Sequence, residues 1–194
     1  MLRGDEDGDG RSGLGHLIVS PGGAVVGEHV HPHMDERFRV ISGSLGARVG
    51  GEERTLVAGD EVTVAAGTPH DWWNAGEDEA SVLIEITPMD PRFIDMLSTL
   101  FGLANAGKTN DKGLPNIFQL ALVGQEFGDV IRFTRPPAAM QKAMFGLLGA
   151  IGRRRGYRGI YPEYLQSHGR VIPDPEVVAL AGLTPPAQAA APSE

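Results

Sequence analysis

The sequence predicts a mainly β fold, an antiparallel sandwich or barrel, followed by about three α-helices. Three observations carry this prediction. Between Leu17 and Pro88 the chain is a succession of short apolar-alternating runs (17–19, 24–30, 37–41, 45–49, 54–57, 61–65 and 81–86). Turn residues separate them: Pro21-Gly22-Gly23, Ser42-Gly43, Gly50-Gly51, Ala58-Gly59-Asp60, Ala66-Gly67 and Asn74-Ala75-Gly76. Strands this short and evenly spaced indicate antiparallel β architecture. The texture then changes at Met89-Asp90-Pro91, where periodicity of two gives way to helical spacing. Charge changes at the same place. Residues 1–90 carry 6 Arg and no Lys against 17 acidic residues, net −11, whereas residues 91–194 carry 11 basic against 8 acidic, net +3.

The helices follow from local signals. Asp90 suits an N-cap and Pro91 a first turn, and Phe93, Leu97, Leu100, Phe101 and Ala104 recur at helical spacing up to Asn105-Ala106-Gly107. A second helix is expected from Pro115 to about Phe127 and a third from Pro137 to about Arg154. The third mixes Gly146, Gly149, Ala150 and Gly152 among large apolar residues, a pattern that allows close helix approach. The basic cluster Arg153, Arg154, Arg155 and Arg158 suits its C-terminus, where cations favour the dipole. The expected organisation is a flexible acidic stretch over 1–13, a β unit over 14–88, a helical segment over 89–182 and a disordered tail over 183–194.

Composition narrows the chemistry. With 194 residues, 41% hydrophobic and 22% charged, the chain has the make-up of a globular domain. It has no cysteine, which excludes disulfides, thiolate metal sites and cysteine nucleophiles, so any metal must sit on His and carboxylate. The acidic front half argues against a nucleic-acid groove. No apolar run approaches the roughly 18 residues of a membrane span, and the acidic N-terminus lacks a secretory pattern, so a cytoplasmic address is expected. Asp5, Asp7, Asp9 and Gly10 imitate the start of a calcium loop, but its twelfth position is His16, where such loops need a bidentate Glu.

The chemistry concentrates in two segments. In the first, His29 and His31 stand two apart, which on a strand sends both imidazoles to one face. Glu36 has the opposite parity, but Pro32 interrupts the ladder, so a second strand can begin with Glu36, Phe38 and Val40 inward and Arg37 and Arg39 outward. In the second, His70 follows a Gly turn, and Trp72 and Asn74 share its parity and face the same cavity. Three neutral imidazoles and a carboxylate suit one divalent transition metal: iron, manganese, nickel, copper or zinc. His33 lies past Pro32 as a loop residue, and His16 and His168 have no partner in sequence. The three tyrosines, Tyr157, Tyr161 and Tyr164, all lie beyond the β unit, which therefore offers no phenolic acid.

These segments resemble the two motifs of the cupin superfamily. The first fits G-x5-H-x-H-x4-E-x6-G from Gly23 to Gly43 at every fixed position. The second fits G-x5-P-x-G-x2-H-x3-N from Gly59 to Asn74 with one departure, Ala65 in place of Pro. The resemblance covers roughly residues 14–88 and leaves the helices unexplained. It implies a double-stranded β-helix or jelly-roll barrel, with His29, His31, Glu36 and His70 as metal ligands. It points to a single-domain, quercetin-dioxygenase-like oxidoreductase in which Glu36 takes the substrate proton. Alternatives in the same superfamily are a metal-dependent isomerase, cyclase or decarboxylase, and a non-catalytic binding protein. The apolar walls Phe38, Val40 and Trp72, with Asn74, favour a flat, poorly soluble small-molecule substrate. The helical segment is expected to pack on the barrel or on the second subunit of a homodimer.

Overall fold

The computed structural model describes residues 12–25, 27–110, 113–165 and 175–180. The acidic 1–11 stretch with its calcium-like pattern, His168 and the 183–194 tail lie outside the described residues. Eight strands are β1 (Gly13–Val19), β2 (His29–Val30), β3 (Asp35–Ser42), β4 (Ser44–Val49), β5 (Glu52–Val57), β6 (Glu61–Val64), β7 (His70–Asn74) and β8 (Ala80–Thr87). A ninth, β9 (Arg132–Phe133), comes from the helical half. They form a four-stranded sheet in the order β1-β8-β3-β6 and a five-stranded sheet in the order β5-β4-β7-β2-β9, with antiparallel pairing throughout. Among the described residues no strand pairing joins the two sheets. The fold is an antiparallel jelly roll, as expected for the β unit, built of two sheets.

Alternation on β3 sets the inside. Glu36, Phe38 and Val40 are buried while Arg37 and Arg39 are exposed. Arg37 pairs with Glu85 on the outer surface at 2.8 Å, a contact worth at most about 1 kcal/mol. Burial of each large apolar side chain contributes roughly 1.5–3 kcal/mol, so the core outweighs such pairs. That core lies between the sheets, with Phe38, Val40, Val64 and Val82 of one facing Leu45, Ala47 and Leu56 of the other. Gly46 lies opposite Trp73 in the ladder, and a Cβ there would stand 2.2 Å from the indole. Only glycine admits that ring.

Among the described residues five helices follow: α1 (Pro91–Asn105), α2 (Ile117–Glu126), α3 (Ala138–Arg154), α4 (Pro162–Leu165) and α5 (Pro175–Leu180). Asp90 caps α1 by accepting from the Arg92 N–H, and Asn116 caps α2 by accepting from Phe118 and Gln119. The first three helices stand where sequence signals put them; α4, α5 and β9 carry no such signal. Two of the glycines of α3, Gly149 and Gly152, meet α2, while Gly146 is exposed. Gly149 and Gly152 are its buried residues, and a Cβ on Gly152 would crowd Leu122 and the Phe118 carbonyl at 3.1 Å. Arg153 and Arg154 close α3, and Arg155 lies over the Phe118 ring. No helix among the described residues is long and apolar enough to cross a membrane.

The helical half closes one end of the sandwich. Phe93 and Met96 of α1, Val123 of α2, and Phe127 and Val130 beyond it pack with Met34, Ile86 and Met89 into a second core. Strand β9 then adds to the edge of the five-stranded sheet, pairing Phe133 with His29 and Arg132 with Val30. A chain ending at Pro88 is therefore expected to keep β structure while exposing Met34 and Ile86. Dye binding or aggregation of that truncation, seen by fluorescence and light scattering, checks this; a monodisperse truncation as stable as the whole chain contradicts it.

Candidate metal centre

His29, His31, Glu36 and His70 converge. One ligand atom from each lies within 4.8 Å of all the others, and all four residues are buried, at 2–4% exposure. Three separate local structures bring them there. His29 stands on β2 opposite His70 on β7, and His31 follows β2 just before the Pro32 turn. Glu36 opens the buried face of β3, level with Ile86 of β8 and Val64 of β6.

The turn before His70 tests the departure from the second motif. With Ala65 in place of Pro the turn still forms: the Ala65 carbonyl accepts from the Thr68 N–H at 3.0 Å. Gly67 adopts φ +75°, a conformation that favours glycine, and its N–H donates to the His31 carbonyl. The Ala66 N–H donates to Asp35 Oδ1 at 2.8 Å, tying this turn to the start of β3.

Hydrogen bonds fix the direction of every ring. Nδ1 of His29 lies 3.0 Å from the Gly27 carbonyl, Nδ1 of His31 2.9 Å from the Val130 carbonyl, and Nδ1 of His70 2.9 Å from the Thr68 carbonyl. A carbonyl can only accept, so each Nδ1 carries a proton and Nε2 is the atom left for a ligand role. Orientation of imidazoles by outer hydrogen bonds is the usual support of a metal site. The donors fit a divalent transition ion, with three imidazole nitrogens and one carboxylate whose charge partly offsets it.

Charge also ties the cluster together. Glu36 Oε2 lies 2.9 Å from His70 Nε2 and 3.7 Å from His31 Nε2. At His70, burial favours the neutral ring, but the hydrogen bond to Glu36 and the Thr68 carbonyl outweigh it and its pKa is raised. Burial lowers that of His31, against the opposing pull of Glu36. His29 is pushed down to about 4, first by burial and then by His70. Between about pH 6.5 and 4 the unfolded chain therefore protonates His29 while the folded chain holds it neutral. Stability of the metal-free protein through this group falls as pH drops across that window. The His70–Glu36 pair acts in the opposite sense, its contribution being lost as pH rises through the raised pKa. Urea unfolding of the wild type and of His29→Leu separates the two: the variant is expected to lose less stability on acidification, and an identical slope would remove His29 as the cause.

The other residues predicted for the site are placed as follows. Phe38 and Val40 are almost fully buried in the core between the sheets, and Trp72 packs beside them with its ring centroid 6.3 Å from that of Phe38. Asn74 is buried on the same strand as His70, but its amide donates to the Val19 and Asp78 carbonyls and its oxygen accepts from the Gly76 N–H, so it organises the 74–78 turn. His33 is exposed, and His16 meets Ser81 Oγ at 2.8 Å. Two participants were not foreseen. One is the Val130 carbonyl, 99 positions from His31. The other is Phe93, whose ring meets that of His31 edge-on at 5.4 Å. A backbone acceptor has no residue type to find, and only the helical spacing of Phe93 hinted at a buried face.

Two antiparallel sheets thus surround a buried cluster of three histidines and one glutamate, a donor set that fits a metal ion. Residues 15–86 match the family model described as "Cupin domain", and this segment is a cupin domain followed by additional helices. The tetracenomycin polyketide synthase protein TcmJ of Streptomyces glaucescens is 40% identical over 79 residues, 41% of this chain and 52% of that protein. The polyketide synthase CurC of Streptomyces cyaneus is 28% identical over 81 residues, 42% of this chain and 53% of that protein. The chain thus spans about half the length of the curated relatives it matches. Among solved structures, TT1209 of Thermus thermophilus is 31% identical with a TM-score of 0.38, over 40% of this chain and 73% of that one.

Proposed function

We propose that this protein is a metal-dependent enzyme of the dioxygenase type, acting on a small, largely apolar and enolisable organic substrate. The observation that carries this is the convergence of His29, His31, Glu36 and His70 in one buried cluster, with each imidazole Nδ1 held by a carbonyl. A divalent transition ion held by these four supplies Lewis acidity and, where it is redox-active, electrons for reaction with oxygen. The three imidazoles stay neutral in that role, and Glu36 provides the one negative charge. Glu36 is also the proton acceptor, the only carboxylate in the cluster, and takes the proton of an acidic C–H or O–H. In this reading Phe38, Val40 and Trp72, which pack together in the core between the sheets, supply the apolar wall for the substrate. Phe93, whose ring meets that of His31, packs with Met34 and Val130 in the second core.

The relatives refine the substrate class. Both are named as polyketide synthase proteins, and polyketide chains alternate carbonyls with carbons whose protons are acidic enough for a carboxylate base. That supports an enolisable polyketone or phenol. It also favours a second reading of the same site, a ring closure that begins with the same deprotonation and consumes no oxygen. Oxygen uptake by the iron, manganese, nickel and copper forms, offered a panel of flavonols and β-diketones, tests these. Uptake with a cleaved product supports the oxidoreductase. Rearranged product without uptake supports ring closure, and binding with neither result shows a non-catalytic protein.

A further inference from the structure

Residues 130–162 hold seven basic side chains and no acidic one, in a chain whose net charge is −8. All seven are exposed, and among the described residues none of them forms an ion pair. The β unit differs: Arg37 meets Glu85, Arg48 meets Asp71 and Glu53, and Arg54 meets Glu52. At the end of α3 the contacts are with neutral groups. Arg153 donates to Gln125 Oε1 at 2.7 Å, and Arg155 lies over the Phe118 ring. Unpaired cations gathered on one segment attract negative charge from outside.

The same helix carries an apolar stripe, on a different face from the Gly149 and Gly152 that meet α2. Met140, Met144, Leu147 and Ile151 follow the spacing i, i+4, i+7, i+11, which aligns them along one side. Met140 is 58% exposed and Leu147 66%. Arg154 continues the line at its C-terminal end, and Arg135 precedes it. From Met140 to Arg154 the stripe is about 21 Å long, roughly four turns of a second helix. Met144 and Arg135 also line a cleft of about 600 Å³ between the helices and the five-stranded sheet, so the surface beside the stripe is concave.

Charge and shape choose among occupants. An antiparallel second α3 would set Arg154 beside its partner's N-terminus, where a cation meets the positive end of the dipole, and a parallel one would set the arginines against themselves. A bilayer is flat and does not follow a concave surface. A helix with its own apolar stripe and with carboxylates beside it matches both features, in the helix-in-groove mode. We propose that the outer face of α3 is a docking surface for an acidic amphipathic helix of another protein. Its apolar side lies along Met140, Met144, Leu147 and Ile151, and its carboxylates meet Arg135, Arg154 and Arg155.

Titration of the full chain into a dye-labelled helix of about 18 residues, with Leu along one stripe and Glu beside it, tests this by fluorescence anisotropy. Saturable binding of one peptide per chain is expected, weakened at least about 10-fold when salt rises from about 0.05 to 0.5 M. A scrambled peptide of the same composition, and one with Lys in place of Glu, are each expected to bind at least about 10-fold more weakly. Leu147→Glu, and Arg154→Glu combined with Arg155→Glu, are expected to lose at least about 10-fold in affinity. Those positions are exposed, so melting temperature and metal content are expected to stay as in the wild type. The proposal is overturned if the acidic helix does not bind saturably, if either control peptide binds as well, or if either variant binds as the wild type does. Flotation with phosphatidylcholine vesicles containing about one-quarter phosphatidylglycerol, and sedimentation velocity, address the other occupants. Vesicle binding or a dimer that is lost in Leu147→Glu, without binding of the acidic helix, would give this face to a bilayer or to a second copy and overturn the proposal.

Discussion

Replacing His29, His31 or His70 by Ala is expected to abolish tight metal binding, whereas His33→Ala leaves it unchanged. The four histidines lie close in sequence or share a motif, but their surroundings differ. His29, His31 and His70 are 2–3% exposed with Nδ1 held by carbonyls, while His33 is exposed beyond the Pro32 turn. Loss of an outer hydrogen-bonding partner costs a metal site roughly 10–100-fold in affinity, and loss of a ligand itself is expected to exceed that. Metal analysis of the purified variants reads the result directly, and circular dichroism shows whether each is folded. A filled site in His29→Ala alongside an empty one in His33→Ala would overturn the ligand assignment.

The metal cluster was legible because it depends on parity and turn chemistry, both of which are local. The two-residue spacing of His29 and His31, the break at Pro32 that reverses the parity before Glu36, and the Gly67 turn before His70 each correspond to a feature of the fold. The limits of α1 to α3 were legible for the same reason: Asp90, Pro91 and Pro137 act on the chain next to them. What was not legible depends on partners distant in sequence. Strand β9 has two residues and forms only because β2 presents an open edge beside it. The Val130 carbonyl serves His31 only once α1 and α2 have brought residues 127–133 over the end of the sandwich.

Asn74 shows where parity alone falls short. It shares the buried face of β7 with His70, as alternation requires, but the groups around it, two carbonyls and an N–H, engage its whole amide. Local hydrogen bonding works in the site's favour at Ala65. Proline there would fix φ, but the Ala65 carbonyl and the Asp35 carboxylate hold the turn by hydrogen bonds instead.

Glu36→Gln is expected to separate metal binding from turnover. Gln keeps the length and shape of the side chain and offers a carbonyl oxygen, but it carries no charge and cannot accept a proton. It sits where Glu36 meets His70 at 2.9 Å and His31 at 3.7 Å, so its carbonyl can still be presented to the same point. Metal affinity is expected to fall modestly as the one anionic donor is lost. Turnover is expected to fall by roughly 10²–10⁴-fold, the usual consequence of removing a general base. The β unit contains no tyrosine to take over, since Tyr157, Tyr161 and Tyr164 all belong to the helical half. Parallel measurement of metal content and steady-state rate separates the outcomes. A variant that keeps its metal and its rate would leave the cluster standing and remove Glu36 as the proton acceptor. A variant that loses both in equal proportion would show Glu36 acting through metal retention alone.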